Sequence, residues 1–189
     1  MNTQCFFREF PTIDLGDIIL REIVESDAQD YLDYMSKDEM AGFLTKENRP
    51  QDFDKALTEV KYWASIFPNK RSIYWAIALK DNNQMIGTAG FNVMSFQNSR
   101  ADISYDLNPN YWGKGIVLKS VKGILSFADY ALQLVRIQAT SIIDNERSIK
   151  VLERCGFKRE GLMKRYEIVE GEHKDYYMYA RVHEVMHQQ

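Results

Sequence analysis

Cysteine is scarce in this chain. Cys5 and Cys155 are the only two in 189 residues, too few for a disulfide framework, and the expected compartment is a reducing cytoplasm. Long apolar runs are missing as well. The apolar stretches are short and broken by charges, and the opening MNTQCFFREF has neither a basic leader nor an extended apolar core, so neither a membrane span nor a secretory signal is expected. There is no excess of positive charge: 24 lysines and arginines face 27 aspartates and glutamates for a net charge of -3, which argues against a nucleic-acid partner. The three histidines, His173, His183 and His187, lie late in the chain without a second group of ligands, so no metal site is expected. Only 4 prolines and 10 glycines punctuate the sequence, and no repeat or low-complexity tract divides it. Residues 1–189 are expected to form one domain, with 1–15 as a flexible N-terminal extension.

What is present is a clear succession of periodicities. Residues 18–23 are apolar enough for a first strand. Ser26 is placed to cap a helix carrying Ala28, Tyr31, Leu32 and Met35 at the helical spacing, and a second helix opens after Pro50 with Phe53, Leu57, Val60, Ala64 and Phe67 on its stripe. A hairpin turning at Asp81-Asn82-Asn83 and a third strand over 100–107 follow, read from the alternation of Ile73, Trp75, Ile77, Leu79 and then Ala101, Ile103, Tyr105, Leu107. Beyond Gly113 and Gly115, a helix stripe runs from Val117 to Leu132, and 135–143 is a buried strand. That strand–helix–strand unit predicts two parallel neighbours. A helix over 146–155 with Gly156 after it, then two strands meeting at Glu170-Gly171, complete the order βααβββαβαββ of a mixed α/β domain.

Two segments carry potential chemistry. The first, Asn110-Tyr111-Trp112-Gly113-Lys114-Gly115, lies between a strand and a helix. Glycines there let backbone amides turn inward, and the helix N-terminus adds about half a positive charge, so the pair is a pyrophosphate cradle; a purely steric glycine turn is the alternative. The segment is neither a Walker loop nor a dinucleotide fingerprint. The second runs from Asn145 to Phe157, NERSIKVLERCGF, which as a bare helix reads as an Asp144 or Asn145 cap, a solvated Ser148 and a closing Gly156. Glu167, in Tyr166-Glu167-Ile168-Val169, faces oppositely to its neighbours on a strand. It is either a solvated carboxylate paired with Lys174 or a base in a cleft. Cys155 reads as a small core residue, and Tyr176, Tyr177 and Tyr179 as strand core and edge.

In this order, the segments NYWGKG and NERSIKVLERCGF, together with Ile86-Gly87 and Gly90-Phe91, resemble the GNAT superfamily of N-acetyltransferases, and within it the ribosomal-protein N-terminal acetyltransferase branch. The resemblance covers nearly the whole chain. It implies a GNAT fold whose two parallel strands splay to form a cleft for acetyl-coenzyme A. It further implies pantetheine paired with the backbone near Asp106, Leu107 and Asn108 and bonded by Asn145, and pyrophosphate on the amides of Gly113, Lys114, Gly115, Ile116, Val117 and Leu118. In that branch a glutamate and a serine are proposed as proton acceptor and donor, and they fall on Glu167 and Ser148. Two departures stand out: Asn110 replaces the usual Gln or Arg, and Leu118-Lys119-Ser120 replaces a Thr-Glu-Ala-like run.

The expected activity is direct acetyl transfer from acetyl-coenzyme A to a primary amine, with the helix pair at 28–67 as the acceptor wall. The expected acceptor is a protein N-terminal α-amine, which needs less help to deprotonate than lysine. A small amine such as an antibiotic or amino-acid derivative is the alternative, and an acyl-coenzyme A-binding module without turnover is a third reading. A homodimer could form on an exposed edge strand such as 174–182.

Overall fold

The computed structural model of the chain describes residues 8–45 and 49–183. Its elements are β1 (Ile13–Asp14), β2 (Ile18–Glu22), α1 (Ala28–Met35), α2 (Asp38–Ala41), α3 (Phe53–Ile66), β3 (Tyr74–Leu79), β4 (Met85–Ser95), β5 (Arg100–Leu107), α4 (Ile116–Phe127), β6 (Arg136–Ile142), α5 (Glu146–Arg154), β7 (Lys158–Val169) and β8 (Glu172–Val182). The eight strands form one sheet in the order β1-β2-β3-β4-β5-β6-β8-β7. Every neighbouring pair is antiparallel except β5 and β6. This is the mixed, mostly antiparallel sheet with one parallel pair that the sequence resemblance implies.

The period of two along the central strand separates two cores. On β3, Trp75 and Ile77 point into a cluster with Ile103, Leu107, Val121, Ile124, Leu125 and Leu152, the last four supplied by α4 and α5. Tyr74 and Ala76 point the other way, into a cluster built on Tyr31, Tyr34 and Met35 of α1 and Ala56 and Val60 of α3. The sheet is thus covered on both faces around β3, while β7 at its far edge stays largely exposed. Helix α3 begins where Asp52 accepts the Lys55 amide at 2.8 Å, an N-cap that satisfies one orphan donor of the first turn.

Several expectations are corrected. Of the extension at 1–15, residues 1–7 lie outside the described residues, but the stretch from Phe10 to Asp14 is held against the domain. Phe10 packs edge-on against Phe67 at 5.0 Å, Trp75 Nε1 donates to the Pro11 carbonyl at 2.6 Å, and Ile13–Asp14 pairs with β2. The buried indole needs an acceptor, and the extension supplies it. The cap of α1 is Asp27, after a 3₁₀ turn at Glu25–Asp27 that includes Ser26. Strand 174–182 is not an edge, because β8 lies between β6 and β7; the free edge on that side is β7. Cys5 and His187 lie outside the described residues.

Candidate active site

Strands β5 and β6 are paired only from Arg100 to Asp102 and from Arg136 to Gln138. Beyond that point, β5 keeps its antiparallel partner β4 as far as Leu107, and β6 keeps β8 as far as Ile142. The two parallel strands therefore part and leave a strip of β5 backbone open. Asn108 donates its N–H to the Ile86 carbonyl at 2.8 Å, so by the alternation of the strand Asp106 and Asn108 turn their backbone groups toward β4. Tyr105 and Leu107 turn theirs to the open side. Of Asp106, Leu107 and Asn108, the three expected to pair by their backbone, Leu107 alone faces the open side, with Tyr105 next to it on the strip. The Leu107 carbonyl already accepts from Trp112 Nε1 at 2.8 Å.

The glycine loop leads from this strip into α4. Gly113 and Gly115 sit at φ 76° and 77°, the left-handed region that a side chain disfavours, and Gly115 is the N-cap of the helix. The Lys119 amide is the first to bond back into the helix, to the Gly115 carbonyl at 3.0 Å. The preceding amides at Ile116, Val117 and Leu118 are the orphan donors of a helix start, which suits a pyrophosphate. Lys114 folds onto the Tyr111 ring at 4.8 Å. Of the departing run, Lys119 pairs with Asp17 rather than facing the loop, and the Ser120 hydroxyl is buried without a partner.

Helix α5 approaches the strip from its N-terminus. Asn145 Oδ1 accepts the Ser148 amide at 3.1 Å, so the capping role is real, and it orients the first turn. The Ser148 hydroxyl lies 2.9 Å from the Tyr105 hydroxyl, and Tyr105 also donates to the Ser148 carbonyl at 3.2 Å. Burial pushes the Tyr105 phenol above its ordinary value, so it is a neutral donor. Arg147 stacks over the Trp112 ring at 4.5 Å, tying α5 to the glycine loop.

On the α1–α3 face of the sheet, a cavity of about 350 Å³ opens between the helices and β4–β5. Tyr31, Trp63, Tyr74 and Phe91 wall it, and Glu59 and Asp106 bring carboxylates. Tyr105 lines it as well, although its ring packs with the opposite core, so the cavity reaches the edge where β5 leaves β6. Asp106 accepts hydrogen bonds from Tyr34 at 2.6 Å, from the Thr88 amide at 3.1 Å and from the Thr88 hydroxyl. Burial pushes its carboxyl up to about 6, against the pull of those donors. Glu59 accepts from the Tyr31 hydroxyl at 2.6 Å.

The sequence-derived residues fall into two groups. Ser148, Asn145, the glycine loop and the end of β5 converge on the parting strands. Glu167 does not line the cavity: it sits in register with Lys174 on the β7–β8 hairpin. That hairpin does reach the end of α1, where Glu170 lies 3.6 Å from Arg49 and Arg49 Nε donates to the Met35 carbonyl. Cys155 is buried, which pushes its thiol up and makes it a poor nucleophile. Sequence reasoning missed Tyr105 and Glu59 and assigned Asp106 for its backbone alone. The alternation of RADISYDL sends Tyr105 and Asp106 to opposite faces, but nothing local says which helices wait there.

The chain matches the model of the acetyltransferase (GNAT) domain over residues 17–158. It is 31% identical over 173 residues to the uncharacterized N-acetyltransferase YoaA of Bacillus subtilis, covering 92% of this chain and 97% of that protein. It is 26% identical over 110 residues to the ribosomal protein uS5-alanine N-acetyltransferase of Escherichia coli, covering 58% of this chain and 57% of that one. Among solved structures, the ribosomal L7/L12 α-N-protein acetyltransferase RimL in complex with coenzyme A superposes with a TM-score of 0.82 at 24% identity, covering 91% of this chain and 98% of that one.

Proposed function

Because the chain belongs to the GNAT acetyltransferase family, whose acyl donor is acetyl-coenzyme A, we propose that it acetylates the N-terminal α-amine of a protein, ribosomal proteins being the type of acceptor. The observation that carries the reading is the parting of β5 from β6, with the glycine loop beyond one end and the acidic aromatic cavity opening beside it. The residues fit the donor. The amides of Gly113, Lys114, Gly115, Ile116, Val117 and Leu118 would take the pyrophosphate, the open backbone of Tyr105 and Leu107 the pantetheine arm, and Asn145 a further pantetheine contact.

The chemistry asks for three proton movements. An α-ammonium, with an ordinary pKa of about 8, gives up one proton to free the lone pair that forms the C–N bond. As the C–S bond of the thioester breaks, the nitrogen gives up its second proton to become the amide, and the departing thiolate takes one up. Asp106 is the proton acceptor that the cavity favours, because its carboxylate lines the space an amine would enter. Glu167 retains the support of its motif and of the hairpin that carries it toward Arg49. Ser148, backed by the Tyr105 hydroxyl, is the proposed donor to the thiolate.

A small amine is the second reading, favoured by a cavity sized for one or two residues. Release of free coenzyme A, measured with peptides bearing free N-termini, polyamines and aminoglycosides, tests both. Turnover on peptides supports the N-terminal reading, and turnover only on a small amine replaces it with the second. Silence on every amine would remove both.

A further inference from the structure

The cavity beside β5 is chemically one-sided. Trp63 stacks on Tyr74 with ring centroids 5.4 Å apart and takes the edge of Tyr31 at 4.9 Å, so its wall is a continuous aromatic surface. Its acidic side chains other than tyrosine are two carboxylates, Glu59 and Asp106, and no lysine, arginine or histidine lines it among the described residues. Lys55 touches Glu59 at 3.7 Å from the solvent side, half-exposed, and is not part of the lining. The other polar groups of the lining are neutral: Tyr74 and Ser104 share a hydrogen bond of 2.7 Å, and Ser104 donates to Asn92 Oδ1 at 2.8 Å.

Such a wall discriminates by charge and by body. An ammonium is attracted both by the carboxylates and by the faces of the rings. An apolar substituent on the same carbon is covered by the aromatic surface. An amide carbonyl or N–H finds hydrogen-bonding groups at Ser104 and Asn92. A carboxylate beside the amine meets two like charges with no cation among the described lining residues to receive it.

Resting on the acetyl-transfer reading above, we propose that this cavity is the acceptor site and that it selects amines carried on an apolar, carboxyl-blocked body, an amino-acid amide or a peptide N-terminus with a bulky apolar first residue, and rejects free amino acids and acidic N-termini. Glu59 is the specificity-determining residue at its outer side, since it can lose its charge without touching the reacting end at Tyr105 and Asp106.

The test is calorimetric titration of the coenzyme A complex with phenylalaninamide and with phenylalanine, for wild type and for Glu59→Gln, with acetylated product measured on parallel samples containing acetyl-coenzyme A. The amide is expected to bind about tenfold or more tightly than the free amino acid. Glu59→Gln is expected to weaken amide binding and to narrow that ratio, a change that loss of packing alone would not produce, because packing treats the two ligands alike. Equal binding of the two, a preference for the carboxylate, or no binding of either overturns the proposal. Selective binding without any acetylated product leaves the cavity assignment standing and removes the acetyl-transfer reading. Equal acetylation of both removes the assignment and keeps the enzyme.

Discussion

The hydroxyls of Tyr105 and Ser148 lie 2.9 Å apart and join the open edge of β5 to the first turn of α5. The contact crosses the place where the parallel strands separate, and it pairs a strand residue with a helix residue 43 positions later in the chain. If the two hydroxyls deliver one proton to the departing thiolate, removing either breaks the same path. Ser148→Ala and Tyr105→Phe are each expected to lower kcat by about 10²-fold with little change in the KM for acetyl-coenzyme A. The double variant should be no slower than the slower single one. Additive losses measured in steady-state kinetics would show that the hydroxyls act separately.

Asp106 and Glu167 make distinguishable claims on the proton that the ammonium gives up. With its carboxyl pushed up to about 6, Asp106 is ionised only above that point, so kcat/KM for an amine presented as its ammonium should rise through about pH 6 and level off. Asp106→Asn should abolish that limb and lower the plateau by about 10²-fold or more. Glu167→Gln should leave the limb in place. The reverse pattern in the two pH profiles would return the role to Glu167.

The same carboxyl leaves a signature in stability. Its folded value, about 6, lies above the ordinary 3.8, so the folded chain binds the proton more tightly than the unfolded one. The associated stabilisation is fully present below the unfolded value and is lost as pH rises through about 6. Between pH 3 and pH 7, wild type should lose about 3 kcal/mol relative to Asp106→Asn, measured by denaturant unfolding of both at each pH. A stability difference that does not change with pH would contradict a buried carboxyl without a compensating cation.

At Gly115 the requirement is conformational. A Cβ there meets nothing within 4 Å, so Gly115→Ala is opposed by the φ of 77° and not by crowding. The substitution should cost about 1 kcal/mol of stability and raise the KM for acetyl-coenzyme A, because the cap that aims the helix amides shifts. An unchanged KM, with the stability loss alone, would show that the glycine serves the turn and not the ligand.

Much of this was legible in the sequence, for reasons that differ by element. The strand alternation through Trp75, Ile77, Ile103 and Leu107 is local and strong, and the crossover between β5 and β6 follows from it. The glycine loop and the Asn145 cap are likewise local. What the sequence did not disclose depends on side chains meeting across distance. Phe10 and Pro11 look like loose chain until Trp75 needs a neighbour and an acceptor. The edge of the sheet is β7 and not β8 because the final hairpin inserts its second strand next to β6, an order that hairpin patterning leaves open. Asp106 reads as one polar residue in a strand; its burial against Tyr34 and Thr88 arises only when α1 and β4 close over it.

The central claim is that this chain moves an acetyl group onto an amine. Its most direct test is incubation with acetyl-coenzyme A carrying a carbon-13-labelled acetyl group and a peptide with a free, apolar N-terminus, followed by mass analysis of the peptide. Label on the N-terminal nitrogen, appearing in step with free coenzyme A, is the predicted result. Coenzyme A binding with no label on any amine would contradict the account.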